Sequence, residues 1–168
     1  MNLPKPGAHG DPPSATRPRV RVLVVDDDPS ICITTAALLE DHYEVRTAGS
    51  FREALRAVDV EVPDVIATDY EMPDGTGVEL MRQVTERHPS VGGVLVTGYK
   101  DYLERDKAAV DAFYVVLKPY EPSRLIDAIE CALRFAKMQR AAARAAIVTA
   151  PRTPAATKPE PNVATRRR

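Results

Sequence analysis

The sequence predicts an α/β protein built on a five-stranded parallel sheet with helices packed against it. The first observation is that five short apolar runs, rich in valine, alternate with segments of helical composition. The second is that the first run, Val22-Leu23-Val24-Val25, has no polar alternation, which is typical of a strand covered on both faces. The third is the length of 168 residues, which is enough for one domain with a full core and too short for two ordinary ones.

The first half of the chain contains two strands and two helices. The first strand, residues 20–25, runs into three carboxylates, and Asp28-Pro29 then makes a good start for a helix over residues 29–40. A short strand follows at residues 43–48. The segment Ser50-Phe51-Arg52-Glu53 is a capping box that opens a helix to about residue 58, because the serine can accept from the backbone of Glu53 while that carboxylate reaches back. The apolar stripe of the first helix is expected at Ile31, Thr35, Leu38 and Leu39.

The second half continues the same alternation. The third strand, residues 62–69, is hydrophobic and again ends in an acid, and a loop rich in glycine and proline at residues 70–77 leads to a helix over residues 78–87. The fourth strand, residues 93–97, precedes a helix at residues 102–111 that is the least apolar of the set. The fifth strand, residues 113–117, ends at Lys118-Pro119. The last helix, residues 122–147, is unusually long for a small domain.

The charge is divided unevenly along the chain. The net charge of −1 combines 12 basic and 22 acidic residues over positions 20–136 with eight basic and one acidic residue over positions 137–168. An acidic body with a basic tail is therefore expected. We divide the chain into a disordered Pro-rich leader at residues 1–18, a folded domain at 19–138, an extension of the last helix at 139–148, and a disordered basic tail at 149–168.

The composition excludes a membrane protein. No segment approaches the run of about 18 apolar residues that would span a membrane, and residues 1–19 have no apolar core of the length that a signal peptide needs. We therefore place the protein in the cytoplasm. Its two cysteines, Cys32 and Cys131, lie on separate predicted helices, and we expect buried, reduced thiols there rather than a redox pair or a metal cluster.

Polar residues of types that can take part in binding or catalysis stand at the ends of the predicted strands. Asp26, Asp27 and Asp28 follow the first strand, and Asp69 ends the third. Thr97 ends the fourth strand and Lys118 follows the fifth. Because the carboxyl ends of parallel strands share one edge of the sheet, these side chains are expected to form a site.

The residue types predict phosphoryl chemistry at that edge. Asp26, Asp27 and Asp69 can together hold Mg²⁺, which prefers a few carboxylates plus water and phosphate oxygens. Lys118 supplies a point contact for phosphoryl oxygens, and Thr97 adds a donor. One carboxylate can then act as nucleophile toward phosphorus and form an acyl phosphate.

These residues resemble a known family. The segments Val24-Val25-Asp26-Asp27, Asp69-Tyr70-Glu71-Met72-Pro73-Asp74-Gly75, Val96-Thr97-Gly98-Tyr99 and Lys118-Pro119-Tyr120 look like the receiver domain of bacterial response regulators, the CheY-like fold. The resemblance covers roughly residues 19–138, with separations of 42, 28 and 21 residues between Asp27, Asp69, Thr97 and Lys118. It implies a doubly wound, flavodoxin-like (βα)5 fold with strand order 2-1-3-4-5.

The resemblance implies a role for each residue of the site. Asp69 would accept the phosphoryl group, and Asp26, Asp27, Asp69 and the backbone carbonyl of Glu71 would hold Mg²⁺. Asp28 matches no ligand position, and we interpret it as a helix-start residue.

The remaining site residues would contact the phosphoryl group or shape the site. By the same resemblance Thr97 and Lys118 would bind phosphoryl oxygens, and the Lys118–Pro119 bond would be cis. The protein would be a phospho-accepting signalling domain and not an enzyme, apart from its own phosphorylation and dephosphorylation. A histidine kinase or phosphotransfer protein would donate the phosphate. The face formed by the fourth helix, fifth strand and last helix would bind a downstream protein or a second copy of the chain.

The sequence departs from the family pattern at one position of the site, and three more of its residues occupy positions that modulate the site in the family. The family usually has Tyr or Phe three residues before the lysine, where this chain has Val115, so the resemblance does not carry an aromatic switch over to this chain. Glu71, Gly98 and Tyr99 occupy modulatory positions, of which Glu71 and Tyr99 are at positions that tune the dephosphorylation rate in the family.

Two other classes of protein share some of these features. Asp26-Asp27-Asp28-Pro29-Ser30 also fits the start of haloacid dehalogenase-like phosphatases, but those enzymes need a further acidic pair after the lysine, and the Asp69-x-x-Met72-Pro73 pattern would stay unexplained. A nucleic-acid binder could use the basic tail, including Arg166-Arg167-Arg168, through salt-dependent phosphate contacts. The Pro-Ala composition and absence of aromatics there favour a solvated tail instead.

Overall fold

The computed structural model describes residues 19–98 and 113–149, and these form a parallel sheet flanked by helices. The strands are β1 (Arg21–Val25), β2 (Glu44–Ala48), β3 (Val65–Asp69), β4 (Glu71–Met72), β5 (Gly75–Thr76), β6 (Gly92–Thr97) and β7 (Tyr114–Leu117). The helices are α1 (Pro29–Leu39), α2 (Phe51–Val60), α3 (Gly77–Arg87) and α4 (Pro122–Thr149). The expected leader, the basic tail from residue 150 and the expected helix at 102–111 lie outside the described residues.

The main sheet has five parallel strands in the order β2-β1-β3-β6-β7, which confirms the predicted fold class and strand order. The strand order reverses between β1 and β3, and ligands of such sheets bind in the crevice beyond the carboxyl ends at that point. The register of the strands aligns the carboxyl ends of β1, β3, β6 and β7. Val25 pairs with Thr68, Asp69 with Val96, and Thr97 with Leu117.

Alternate residues of the central strands point to opposite faces of the sheet and build two cores. On one face Val22, Val24, Val65 and Ala67 pack with apolar residues of α1 and α4. On the other face Leu23, Val25 and Ile66 pack with apolar residues of α2 and α3. Each fully buried aliphatic side chain stabilises the fold by about 1.5–3 kcal/mol relative to exposure. Burial on both faces explains why these strands lack polar alternation.

The helices begin where the sequence supplies caps. Asp28 accepts a hydrogen bond from the backbone N–H of Ser30 at the start of α1, which confirms its assignment as a helix-start residue. Ser50 accepts from Glu53 at the start of α2, and the carboxylate of Glu53 reaches back to the N–H of Gly49. The capping box is therefore present, with its return bond one residue earlier than the serine.

Several expected boundaries were wrong by a few residues. The buried face of α1 is Cys32, Thr35, Ala36 and Leu39, whereas Ile31 and Leu38 are only partly buried, so the predicted stripe was rotated. The third strand begins at Val65 instead of residue 62, because Pro63 has no N–H to donate to a sheet. The loop at residues 70–77 contains the short antiparallel pair β4–β5, which the sequence analysis did not predict.

Helix α4 is the longest element, with 28 residues and a length of about 42 Å. It runs two residues past the end expected from the sequence. Within the described part of the chain, no helix combines the length and apolar character required to cross a membrane.

Candidate functional site

The carboxylates at the ends of β1 and β3 meet around one lysine. The Nζ atom of Lys118 lies 2.8 Å from Oδ2 of Asp26 and 2.7 Å from Oδ1 of Asp69. These residues are 92 and 49 positions away from Lys118 along the chain, and only the parallel register of β1, β3, β6 and β7 brings them together. One ammonium group therefore bridges two carboxylates at the predicted edge of the sheet.

The environment of this bridge is largely shielded from water. The side chains of Asp26, Asp69 and Lys118 are 7%, 16% and 27% exposed. Burial acts to lower the pKa of Lys118, but the hydrogen bonds and charges of the two carboxylates outweigh it and the pKa is raised. Lys118 is thus held in its charged form, and this charge offsets the repulsion between the two acids.

Backbone N–H groups fix the orientation of both carboxylates. Oδ1 of Asp26 accepts from the N–H of Asp28 at 3.0 Å, and Oδ2 of Asp69 accepts from the N–H of Glu71 at 2.9 Å. Each carboxylate therefore has one oxygen bound to the backbone and the other bound to Lys118. This arrangement limits rotation of the side chains and keeps the carboxylate of Asp69 at the mouth of the site.

The other predicted site residues surround this centre. Asp27 is exposed beside Asp26, and Thr97 is buried at the end of β6. The N–H of Lys118 donates to the carbonyl oxygen of Thr97 at 2.7 Å, which places the hydroxyl-bearing residue next to the lysine in the strand ladder. The Lys118–Pro119 peptide bond is cis.

The modulatory positions have different surroundings. Glu71 is exposed immediately after Asp69 and Tyr70. Gly98 is exposed, and among the described residues no atom beyond its chain neighbours lies within 4 Å of the position that a Cβ would occupy. Val115 is half-buried and packs against a small cluster that contains the ring of Tyr70. Tyr99 lies outside the described residues.

The donor set suits a small hard cation that keeps part of its water. Within residues 19–98 and 113–149, no three carboxylate, imidazole or thiol side chains converge into a group that could hold a metal by themselves. Mg²⁺ does not need such a cage, because it is commonly bound by one or two carboxylates together with water and phosphate oxygens. The buried Asp26 meets Asp69 at Lys118, and the exposed Asp27 follows Asp26 in the chain, so the residues present fit this ion.

Two residues behind Asp69 were not singled out by the sequence analysis. A Cβ atom on Gly77 would collide with the carbonyl oxygen of Asp69 and with the side chain of Thr68, so only glycine fits at the start of α3. The hydroxyl of Thr68 donates to the same carbonyl oxygen at 2.9 Å. The available signal was the second glycine of Gly75-Thr76-Gly77, which was interpreted only as part of the loop at residues 70–77.

Asp74 connects the loop after Asp69 to helix α2. Its two carboxylate oxygens accept from the N–H groups of Phe51 and Arg52 at 3.0 and 3.1 Å, in the first turn of α2. Burial acts to raise the pKa of Asp74, but these backbone hydrogen bonds outweigh it and the pKa is lowered. Sequence reasoning could not find this contact, because it joins residues 22 and 23 positions apart.

The two cysteines are free thiols with different surroundings. Cys32 is buried under the site, where its Sγ donates to the carbonyl oxygen of Asp26 at 3.2 Å and burial raises its pKa. Cys131 is only partly buried, which corrects the expectation that both are buried. A raised pKa keeps Cys32 protonated, and its contact with Asp26 is structural.

Comparison with known proteins gives one consistent family. The profile of the response regulator receiver domain matches residues 22–130. The hydrogenase transcriptional regulatory protein HoxA of Cupriavidus necator is 34% identical over 121 residues, which cover 70% of this chain and 25% of HoxA. The response regulator protein PilR of Pseudomonas aeruginosa is 30% identical over 119 residues, or 70% of this chain and 27% of PilR. The chain therefore spans about a quarter of the length of these curated relatives.

The match extends to solved structures. The crystal structure of a response regulator receiver domain protein from Clostridium thermocellum gives a TM-score of 0.64 at 30% identity, and the alignment covers 71% of this chain and 98% of that one. A CheY-like receiver domain protein from Methanospirillum hungatei gives a TM-score of 0.65 at 30% identity, with coverage of 72% and 98%.

Proposed function

Because the chain belongs to the response regulator receiver domain family of two-component systems, we propose that Asp69 is its phospho-acceptor. The observation that carries the proposal is the position of Lys118 Nζ, 2.7 Å from Asp69 and 2.8 Å from Asp26. A cation held beside a carboxylate at the carboxyl edge of a parallel sheet can compensate the charge of an incoming phosphoryl group.

The reaction is a phosphoryl transfer to a carboxylate. An oxygen of Asp69 attacks phosphorus, a new P–O bond forms, and the bond from phosphorus to the donor breaks with its electron pair leaving on the donor. The donor is the phosphohistidine of a histidine kinase or phosphotransfer protein, or a small acyl phosphate. Thr97 ends β6, the strand beside that of Asp69, and Lys118 follows β7, the next strand along. Both would therefore contact the oxygens of the transferred group.

Asp26, Asp27, Asp69 and the carbonyl oxygen of Glu71 are the proposed ligands of Mg²⁺. The bound ion would neutralise negative charge on the phosphoryl oxygens and on the acidic edge. Asp26 and Asp69 share the ammonium group of Lys118. Since both carboxylates already have fixed orientations through the N–H groups of Asp28 and Glu71, little reorganisation is needed to bind a cation there.

Phosphorylation would change which protein binds to the face formed by the helix expected at residues 102–111, strand β7 and the last helix, α4. The helix expected at residues 102–111 lies outside the described residues. The rest of that face exposes apolar side chains: Tyr114 and Leu117 on β7 and Phe135 on α4 are 39%, 37% and 49% exposed. Exposed apolar side chains on an edge strand and its neighbouring helix suit a protein partner. A downstream protein or a second copy of the chain would cover them.

Helix α4 gives this face an arm for association. We place the folded domain at residues 19–138, so the helix continues past it, and Met138 at the end of the domain is 70% exposed. A chain truncated after Lys137 is expected to lose partner binding or self-association while it still accepts phosphate. Unchanged association in analytical ultracentrifugation and in partner pull-down would remove the arm from the proposal.

Intact mass after incubation with acetyl phosphate and Mg²⁺ tests the acceptor. The parent chain should gain one phosphoryl group, Asp69→Asn should gain none, and EDTA should abolish the gain. Asp28→Asn is the matched control, because Asp28 is a third acid at the same edge but caps α1. Full phosphorylation of Asp69→Asn, or its loss in Asp28→Asn with a normally folded chain, would contradict the assignment.

Glu71 is proposed to tune the lifetime of the phosphorylated form. Its exposed carboxylate follows Asp69 by two residues and would lie beside the water that attacks the acyl phosphate. Glu71→Asn should change the first-order decay rate after removal of the phosphodonor. Equal decay rates for the variant and the parent would show that Glu71 has no such role.

A further inference from the structure

A cavity lined by basic side chains lies at the edge of the sheet opposite Asp69. It has a volume of about 310 Å³ and lies between the start of β1 and the second half of α4. Its charged lining is Arg19, Arg21, Lys137, Arg140 and a single carboxylate, Asp64. The domain that holds this cavity is otherwise acidic, so the cluster of cations is a local exception.

Most of this positive charge is not neutralised by neighbouring acids. Arg19 donates to the carbonyl oxygen of Glu40 at 2.6 Å, which is a neutral acceptor. Arg140 donates to the carbonyl oxygen of Ser90 at 3.0 Å and reaches Asp64 only at 3.4 Å. The side chain of Lys137, which is exposed on α4, makes no hydrogen bond or ion pair to any residue in the described ranges.

Arg21 is the exception, because it is paired with Glu61 at 2.8 Å and its backbone N–H donates to Asp64. The hydrogen bond to Glu61 raises the pKa of Arg21. Arg19, Lys137 and Arg140 therefore line the cavity with Asp64 as its one carboxylate, and Asp64 also contacts Arg21. Such a concentration of cations costs repulsion unless an anion is present.

The walls of the cavity also include apolar surface. Val20, Leu133 and Ala136 contribute the aliphatic part of the lining. A volume of about 310 Å³ is at the lower end of the range of small-molecule sites, which is roughly 300–1,000 Å³. The cavity can therefore accept an anion that carries a small organic group and not only a bare ion.

We propose that this cavity binds a small phosphate-bearing anion, a nucleotide or an inorganic polyphosphate. Lys137 and Arg140 on α4 and Arg19 before β1 would contact the phosphate oxygens, since guanidinium and ammonium groups are the preferred donors to phosphate. Asp64 would accept from hydroxyl groups of a nucleotide. The site is separate from Asp69 and lies at the opposite edge of the sheet.

A bound anion would link the extension of α4 to the body of the domain. Arg140 already contacts Ser90 and Asp64 at the base of the sheet, and Lys137 is one helical turn before it. An anion held by both α4 and the segment before β1 would strengthen this attachment. Binding would therefore restrict the arm that we propose for partner association, and small-molecule levels would modulate the output of the domain.

Isothermal titration calorimetry of the full chain tests this proposal. The probes are inorganic pyrophosphate and ADP, each titrated in EDTA so that no divalent ion recruits them to the acidic edge. We expect one site per chain, with affinity that falls as salt is raised. Tighter binding of ADP would identify a nucleotide site, and tighter binding of pyrophosphate would identify an inorganic polyphosphate site. Absence of heat with both probes at millimolar concentration would overturn the proposal.

Matched variants locate the binding. Lys137→Gln should weaken binding by about fivefold or more, because it removes one of the few cations of the cavity without breaking a contact in the described structure. Arg56→Gln removes the same charge from an exposed position on α2 and should leave the affinity unchanged. Asp69→Asn should bind both probes normally, which separates this site from the phosphorylation proposal. Equal affinity of Lys137→Gln and the parent would refute the assignment.

Discussion

Replacement of Lys118 by methionine should destabilise the metal-free domain. Methionine keeps much of the aliphatic stem but removes the ammonium group that joins Asp26 and Asp69. Breaking a buried ion pair by removal of one partner costs roughly 3–5 kcal/mol. Because the Lys118 side chain is 27% exposed and water can reach the carboxylates, we expect a loss of about 2–3 kcal/mol in the free energy of unfolding.

Magnesium should reverse part of this loss. A divalent cation at the same carboxylates supplies the charge that Lys118→Met lacks, and binding to the folded state alone stabilises it. Urea unfolding followed by circular dichroism, in EDTA and in saturating Mg²⁺, measures the stability lost in Lys118→Met and the part of that loss that Mg²⁺ restores. We expect the difference between parent and variant to shrink by at least about 1 kcal/mol in Mg²⁺. Lys137→Met is the control and should change stability by less than about 0.5 kcal/mol in either buffer.

Two results would refute this reasoning. If Lys118→Met were as stable as the parent in EDTA, the bridge would contribute nothing to the metal-free fold. If the deficit were the same with and without Mg²⁺, the cation would not bind at the carboxylates that Lys118 joins.

Two further substitutions test the surroundings of the site. Gly77→Ala should destabilise the domain by about 2 kcal/mol and slow phosphorylation, because the added Cβ would displace the backbone of Asp69; Gly98→Ala, where a Cβ meets open space, should stay within about 0.5 kcal/mol of the parent by urea unfolding. Glu79→Gln should be less stable than the parent at pH 7. The hydrogen bond from Arg82 lowers the pKa of Glu79 from 4.5 to about 2. The stabilisation by the ionised carboxylate is therefore complete above the pKa of the unfolded state and is lost as the pH falls through the pKa of the folded state. A parent-to-variant difference that stayed constant from pH 7 to pH 2 would contradict that assignment.

The fold could be predicted because its strongest signals are local. Runs such as Val22–Val25 are buried on both faces and cannot belong to a half-exposed strand. Caps at Asp28 and Ser50 set two helix starts through contacts with residues two or three positions away. The ends of the strands could not be predicted to the residue, because the first residue of β3 depends on pairing across the sheet. There Asp64 exchanges backbone hydrogen bonds with Arg21 and Gly92 without belonging to the strand itself.

The site was predictable in its residue types and not in its contacts. Asp69 and Lys118 could be identified because parallel strands deliver their ends to one edge. The lysine bridge itself requires the strand order and register, which no local pattern contains. The same limit applies to Asp74, whose carboxylate reaches the start of α2, and to Gly77, whose lack of a side chain matters only because Asp69 passes against it.

The most direct test of the central claim is to identify the phosphorylated side chain chemically. The parent chain would be phosphorylated with acetyl phosphate and Mg²⁺ and treated with borohydride, which reduces an acyl phosphate to an alcohol. Peptide mass spectrometry would then locate the reduced residue. We expect homoserine at position 69 and unmodified acids at Asp26, Asp27 and Asp28. Reduction at any of those three acids, with Asp69 intact, would contradict the account.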